Sequence, residues 1–141
     1  KNFAEALLTA SFLLETGALV IADFLIKNEQ VVPFKQAIAT KKPLHLIEEA
    51  FTETTKEEVA AAMFKQWNFD TILSESIRFS NTPKEADETI FPYAAPLAVI
   101  KTAITLTEQL TPHSIEAAVA LAKELGLDDV SLSEAIKTVS Q

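Results

Sequence analysis

The chain has 141 residues, 48% of them hydrophobic, enough for one domain with a substantial apolar core. It has no cysteine, which excludes disulfides, thiol catalysis and thiolate zinc or iron–sulfur sites. Twenty acidic residues against twelve basic ones give a net charge of −8, and Arg78 is the single arginine, so nucleic-acid binding through phosphate contacts is not expected.

Helical periodicity runs through almost every segment. Phe3, Leu7, Leu8, Phe12 and Leu14 recur at spacings that fit one helix face. Gly17 interrupts, and residues 18–27 are apolar nearly all round, the pattern of a buried central helix. Glu15, Asp23 and Lys27 break the apolar runs before any reaches the roughly 18 to 20 residues of a bilayer span. No basic leader with a cleavage site is visible, and the expectation is a cytoplasmic domain without membrane contact. Pro33 suits the first turn of a short helix over 34–40, and Pro43 opens another in which Leu44, Ile47 and Phe51 face inward.

Thr54 and Thr55 each have a glutamate three residues later, Glu57 and Glu58, and either pair can form a capping box. The helix that follows runs to about Trp67, with Val59, Ala62, Met63 and Trp67 as its apolar stripe and Trp67 in the core. Asp70 caps a helix over 72–79, residues 80–89 form a polar loop or single turn, and a helix returns over 92–107 with Pro96 inside it. His113 to Glu116 lead into a helix ended by Gly126, and Asp128, Asp129, Ser131 and Ser133 offer caps for a last helix over 132–139. Seven to nine helices and no strand predict an all-α compact globule, residues 1–141 forming a single domain.

Little in this pattern supports catalysis. His45 and His113 each begin a His-x-x-Glu sequence, but a di-iron bundle needs two further Glu-bearing helices. Ser11, Ser80 and Ser114 have no adjacent His-Asp pair and no nucleophile elbow. Gly17 and Gly126 are the only glycines, which leaves no phosphate-binding loop.

Two stretches carry a family resemblance. One is Thr55-Lys56-Glu57-Glu58-Val59-Ala60-Ala61-Ala62-Met63-Phe64-Lys65-Gln66-Trp67, followed by Ile77-Arg78-Phe79-Ser80-Asn81-Thr82-Pro83. The other is Ser11-Phe12-Leu13-Leu14-Glu15-Thr16-Gly17-Ala18-Leu19. Together they resemble the HDOD domain, a bacterial signalling module related to metal-dependent HD phosphohydrolases. The resemblance implies a helical fold of the HD-domain, phosphodiesterase-like type. It places histidines at Leu14, at Lys56 and at Ser80-Asn81, and an aspartate at Glu15. Leucine cannot offer the neutral nitrogen lone pair that a metal-activated water requires from its ligands.

The expectation is therefore a non-enzymatic signal-transduction module with no catalytic, cofactor-binding or metal-ligating residues, acting on a protein partner. An atypical HD-type phosphohydrolase acting on a nucleotide or cyclic dinucleotide is the alternative, and a helical adaptor unrelated to HDOD a third. The resemblance also implies further helices ahead of this chain, making it the C-terminal part of a longer protein. Glu15 is expected to cap or pair at the turn before Gly17, and Lys56 to be solvated. Trp67, Phe64, Ile77 and Phe79 are expected in one core with Leu13, Leu14 and Ile21.

Overall fold

The computed structural model describes residues 2–139. Nine α-helices follow one another among them: α1 (Phe3–Leu13), α2 (Thr16–Lys27), α3 (Val31–Ile38), α4 (Leu44–Thr52), α5 (Lys56–Gln66), α6 (Thr71–Arg78), α7 (Phe91–Ala103), α8 (Pro112–Glu124) and α9 (Asp129–Val139). A 3-10 turn at Pro83–Glu85 joins α6 to α7, and an isolated bridge pairs Ile104 with Gln109. The all-α architecture agrees with the periodicity.

Side-chain caps set most of the helix starts. Asp70 accepts from the backbone N–H groups of Ile72 and Leu73, and Asp128 accepts from Val130 and Ser131. Of the two possible capping boxes, Thr55 with Glu58 forms, and Glu57 is left for another task. The helix expected over 92–107 stops at Ala103. Beyond it Thr105 and Glu108 bond each other and Leu110 returns its N–H to the Ala103 carbonyl. Glu29, Lys41, Glu53, Asn68 and Leu110 adopt positive φ where the chain turns, a conformation that glycine takes with less strain.

Two apolar clusters make the core. Ala10, Leu14, Ala60, Phe64, Leu73, Ile77 and Leu97 pack together, with Leu7 and Leu13 against them. The second is rich in alanine: Ala95, Ala98, Val99, Ala103, Ala118, Ala122 and Leu125, small side chains that let α7 and α8 approach closely. α7 supplies residues to both.

The expectation for α2 needs correction. Only Gly17, Ile21 and Leu25, spaced by four, are buried, while Leu19 is 75% exposed and Val20, Phe24 and Ile26 also reach the surface. Neighbouring helices cover one stripe of α2, so its all-round apolar composition leaves an uncovered face. Phe3–Lys27 taken together is 25 residues and contains an 18-residue window of mean hydropathy 1.7, enough by length and composition to cross a membrane, although charged residues interrupt its apolar runs. The stretch is divided at Leu14 and Glu15, where Ala18 bonds back to the Glu15 carbonyl, and Leu14, Ile21 and Leu25 pack inside the protein.

Candidate functional site

The two halves of the resemblance meet where the start of α2 crosses the start of α5. Gly17 makes this approach possible. A Cβ built on it would lie 1.8 Å from the Lys56 carbonyl oxygen, so any larger residue would push the helices apart. Lys56, first residue of α5, has a backbone N–H that no intrahelical carbonyl can satisfy. Glu48 on α4 accepts that N–H at 3.1 Å. The Lys56 side chain runs the other way and its Nζ meets Glu15 Oε1 at 2.5 Å. Glu15 does pair at this turn, as its position suggested. Lys56, however, is 8% exposed rather than solvated, because α2 covers it.

Glu57, one residue on, is 1% exposed and points into the protein. Its Oε1 lies 2.6 Å from Nζ of Lys101 on α7, and its Oε2 accepts from the Asn81 amide at 3.0 Å. The Lys101 ammonium also donates to Ser80 Oγ at 3.2 Å and to the Asn81 carbonyl oxygen. Ser80 Oγ donates onward to the Ile77 carbonyl at 2.8 Å. Among the described residues no buried side-chain nitrogen or oxygen lacks a partner.

Charges shift accordingly. Burial favours the neutral form of Glu57, but the Lys101 charge and the hydrogen bonds from Lys101 and Asn81 outweigh it and hold the carboxyl below its usual range. Burial lowers Lys101, with Glu57 opposing. Burial lowers half-buried His45, and the Lys101 charge adds to this. Glu48 is pushed up to about 7, chiefly by burial; the Lys56 N–H opposes the rise and the Glu57 charge adds to it.

The Glu48 shift gives a measurable result. A folded-state value raised above 4.5 contributes stability that is present below pH 4.5 and lost as pH rises toward 7. Glu48→Gln keeps an oxygen for the Lys56 N–H but cannot ionise. Its melting temperature is expected to match wild type near pH 4.5 and to exceed it at pH 8, by at most about 3 kcal/mol of stability. Melting curves from pH 4.5 to 8 check this, and an offset independent of pH would contradict it.

The side chains gathered here do not fit a divalent metal. Leu14 belongs to the apolar core, and the two charged nitrogens present, on Lys56 and Lys101, repel a cation. No group of three or more His, Asp or Glu side chains converges among the described residues. His113 instead pairs at the surface with Glu108, and His45 stands apart from it on α4. Ser80 and Lys101 are within hydrogen-bond distance, yet they do not make a nucleophile and base: Lys101 is tied to Glu57, and Ser80 is buried with its proton committed to Ile77.

Sequence reasoning placed Leu14, Glu15, Lys56, Ser80 and Asn81 at this site, and the structure brings them together. It missed Glu48, Glu57 and Lys101. A lone lysine in the apolar run of α7 was the available signal, since such a charge needs a partner. The α5 stripe also needs correction. Ala60, Ala61 and Phe64 are buried in phase with Glu57, whereas Ala62 is exposed and Val59 and Met63 only half-buried. Trp67 is 56% exposed rather than in the core. It closes the helix at the surface, against Phe64 and Phe69. Phe79 is half-buried under the Arg78 guanidinium, and Ile21 is buried outside the cluster that holds Leu14, Phe64 and Ile77.

The structure is an all-helical fold with a polar centre built where α2 crosses α5, an architecture compatible with a domain of the HD-like class. The HDOD domain model matches residues 1–83, more than half of the chain, and the chain belongs to the HDOD family, a signalling-related group. It is similar to the crystal structure of a virulence factor from Campylobacter jejuni subsp. jejuni, with 30% identity and a TM-score of 0.67. That match covers 84% of this chain and 46% of the other, so this chain spans less than half the length of that protein. No curated protein matches the chain.

Proposed function

We propose that the chain is a non-catalytic regulatory module of bacterial signal transduction that works in the cytoplasm by binding another protein through a helical surface. The observation that carries this is the apolar face of α1 and α2. Phe12 is 77% exposed, Leu19 75%, and Leu8 and Ile26 are also out, an arrangement more typical of an interaction site than of a free surface. With a net charge of −8, the complementary partner surface is apolar with a basic rim.

The interior agrees with this reading. Its buried carboxylates are engaged, Glu57 in an ion pair with Lys101 and Glu48 in a hydrogen bond from the Lys56 N–H.

Two measurements on the protein test the proposal. Incubation with Mn²⁺ or Mg²⁺ and nucleotides, cyclic dinucleotides or a generic phosphodiester is expected to give no turnover. Metal-dependent turnover abolished by Glu15→Ala would establish a phosphohydrolase instead. Phe12→Asp with Leu19→Asp is expected to leave the melting temperature within a few degrees of wild type, since both side chains are exposed. The same pair is expected to weaken capture of the partner at least about tenfold.

A further inference from the structure

We propose that the Lys101 ammonium is a tethered substitute for a bound cation at the polar centre, so that the domain needs no metal there. Three oxygens from two parts of the chain converge on it: Glu57 Oε1 from α5, and Ser80 Oγ and Asn81 Oδ1 from the segment after α6. A carboxylate, an amide carbonyl and a hydroxyl are the oxygens that hard divalent cations take. Here a protein cation takes them, carried on α7, which packs against α6.

The other half of the centre repeats the device. Lys56 neutralises Glu15 as Lys101 neutralises Glu57, and Glu48 takes the Lys56 backbone N–H instead of a lysine ammonium. Ser80 and Asn81 stand where the resemblance places two histidines, and both face the ammonium. Asn81 closes the ring, donating to Glu57 while accepting from Lys101. Both carboxylate oxygens of Glu57 are taken, one by Lys101 and the other by Asn81. This geometry is the same whatever partner the exposed helices bind.

Removing the ammonium should open a site. Lys101→Ala leaves Glu57, Ser80 and Asn81 around a vacated position near Glu48, a net negative pocket of oxygens. In the complete chain the wild-type melting temperature is expected to stay within about 1 °C in millimolar Mn²⁺. Lys101→Ala is expected to melt at least about 10 °C lower, because one partner of a buried pair is lost. Mn²⁺ or methylammonium is expected to recover part of that loss saturably, where NaCl of equal ionic strength does not.

A saturable rise of the wild-type melting temperature with about one Mn²⁺ bound per chain would overturn the proposal. So would a Lys101→Ala protein that melts with wild type, or one that neither cation restores. If Lys101→Ala does not fold, Lys101→Met combined with Glu57→Gln decides the matter. Removing both charges is expected to give a folded protein that melts above Lys101→Met alone. A double variant no more stable than Lys101→Met would show that Lys101 is not the counter-ion of Glu57.

Discussion

Gly17→Ala is expected to destabilise the protein by more than about 3 kcal/mol, against the usual sign of this exchange within a helix. In an ordinary helix interior alanine is better than glycine by up to about 1 kcal/mol. Here the added methyl would sit 1.8 Å from the Lys56 carbonyl oxygen, a backbone atom that no rotamer change can move aside. The start of α2 must then shift away from α5, which strains the Glu15–Lys56 pair and the burial of Ile21 and Leu25. Gly126 offers a contrast: a Cβ added there would meet nothing within 4 Å, but its φ is +72°. Gly126→Ala is expected to cost only the left-handed strain, about 1 kcal/mol. Denaturant unfolding of both variants separates the two mechanisms, and a Gly17→Ala protein as stable as wild type would mean that the helices do not meet this closely.

Leu14→Ala is expected to lose about 2 to 5 kcal/mol, the range for truncating a buried leucine. Leu14 is 5% exposed and packs among Ala10, Ala60, Phe64, Leu73, Ile77 and Leu97. Ala10 and Ala60 are too small to fill the space a truncated Leu14 would leave. Leu14→His is also expected to destabilise, since an imidazole placed in this apolar cluster has no partner to offset its desolvation. Calorimetry on the two variants checks both statements, and a Leu14→Ala protein with a wild-type transition would place this side chain outside the core.

The scaffold was legible because its signals are local. Asp70, Asp128 and the Thr55–Glu58 box act within one helical turn, so residue type and spacing suffice to find them. The family resemblance was legible for a related reason, since Gly17 and the Ile77–Pro83 run lie in short continuous stretches matched by the HDOD model. The electrostatic centre was not, because its partners lie far apart along the chain: 24 residues separate Asn81 from Glu57, and 41 separate Lys56 from Glu15. Assigning the helix phase from apolar residues alone then turned α5 the wrong way. Glu57 entered that pattern only as a possible capping-box partner, whereas it is paired with Lys101 inside and buried on the same face as Ala60, Ala61 and Phe64. Trp67 failed for a different reason. Its spacing from Phe64 suits the buried face, but the helix ends there, with Phe64 and Phe69 as its ring neighbours.

The double allegiance of α7 bears on where this domain can be cut. The family match stops at residue 83, which invites a fragment ending there. Such a fragment would lack Leu97, which fills the first core cluster, and Lys101, which neutralises Glu57. It would carry a bare interior carboxylate beside a hole, and is expected to be unfolded or loosely collapsed. On this expectation the matched sequence and the shortest fragment that folds end at different places, the second no earlier than the close of α7.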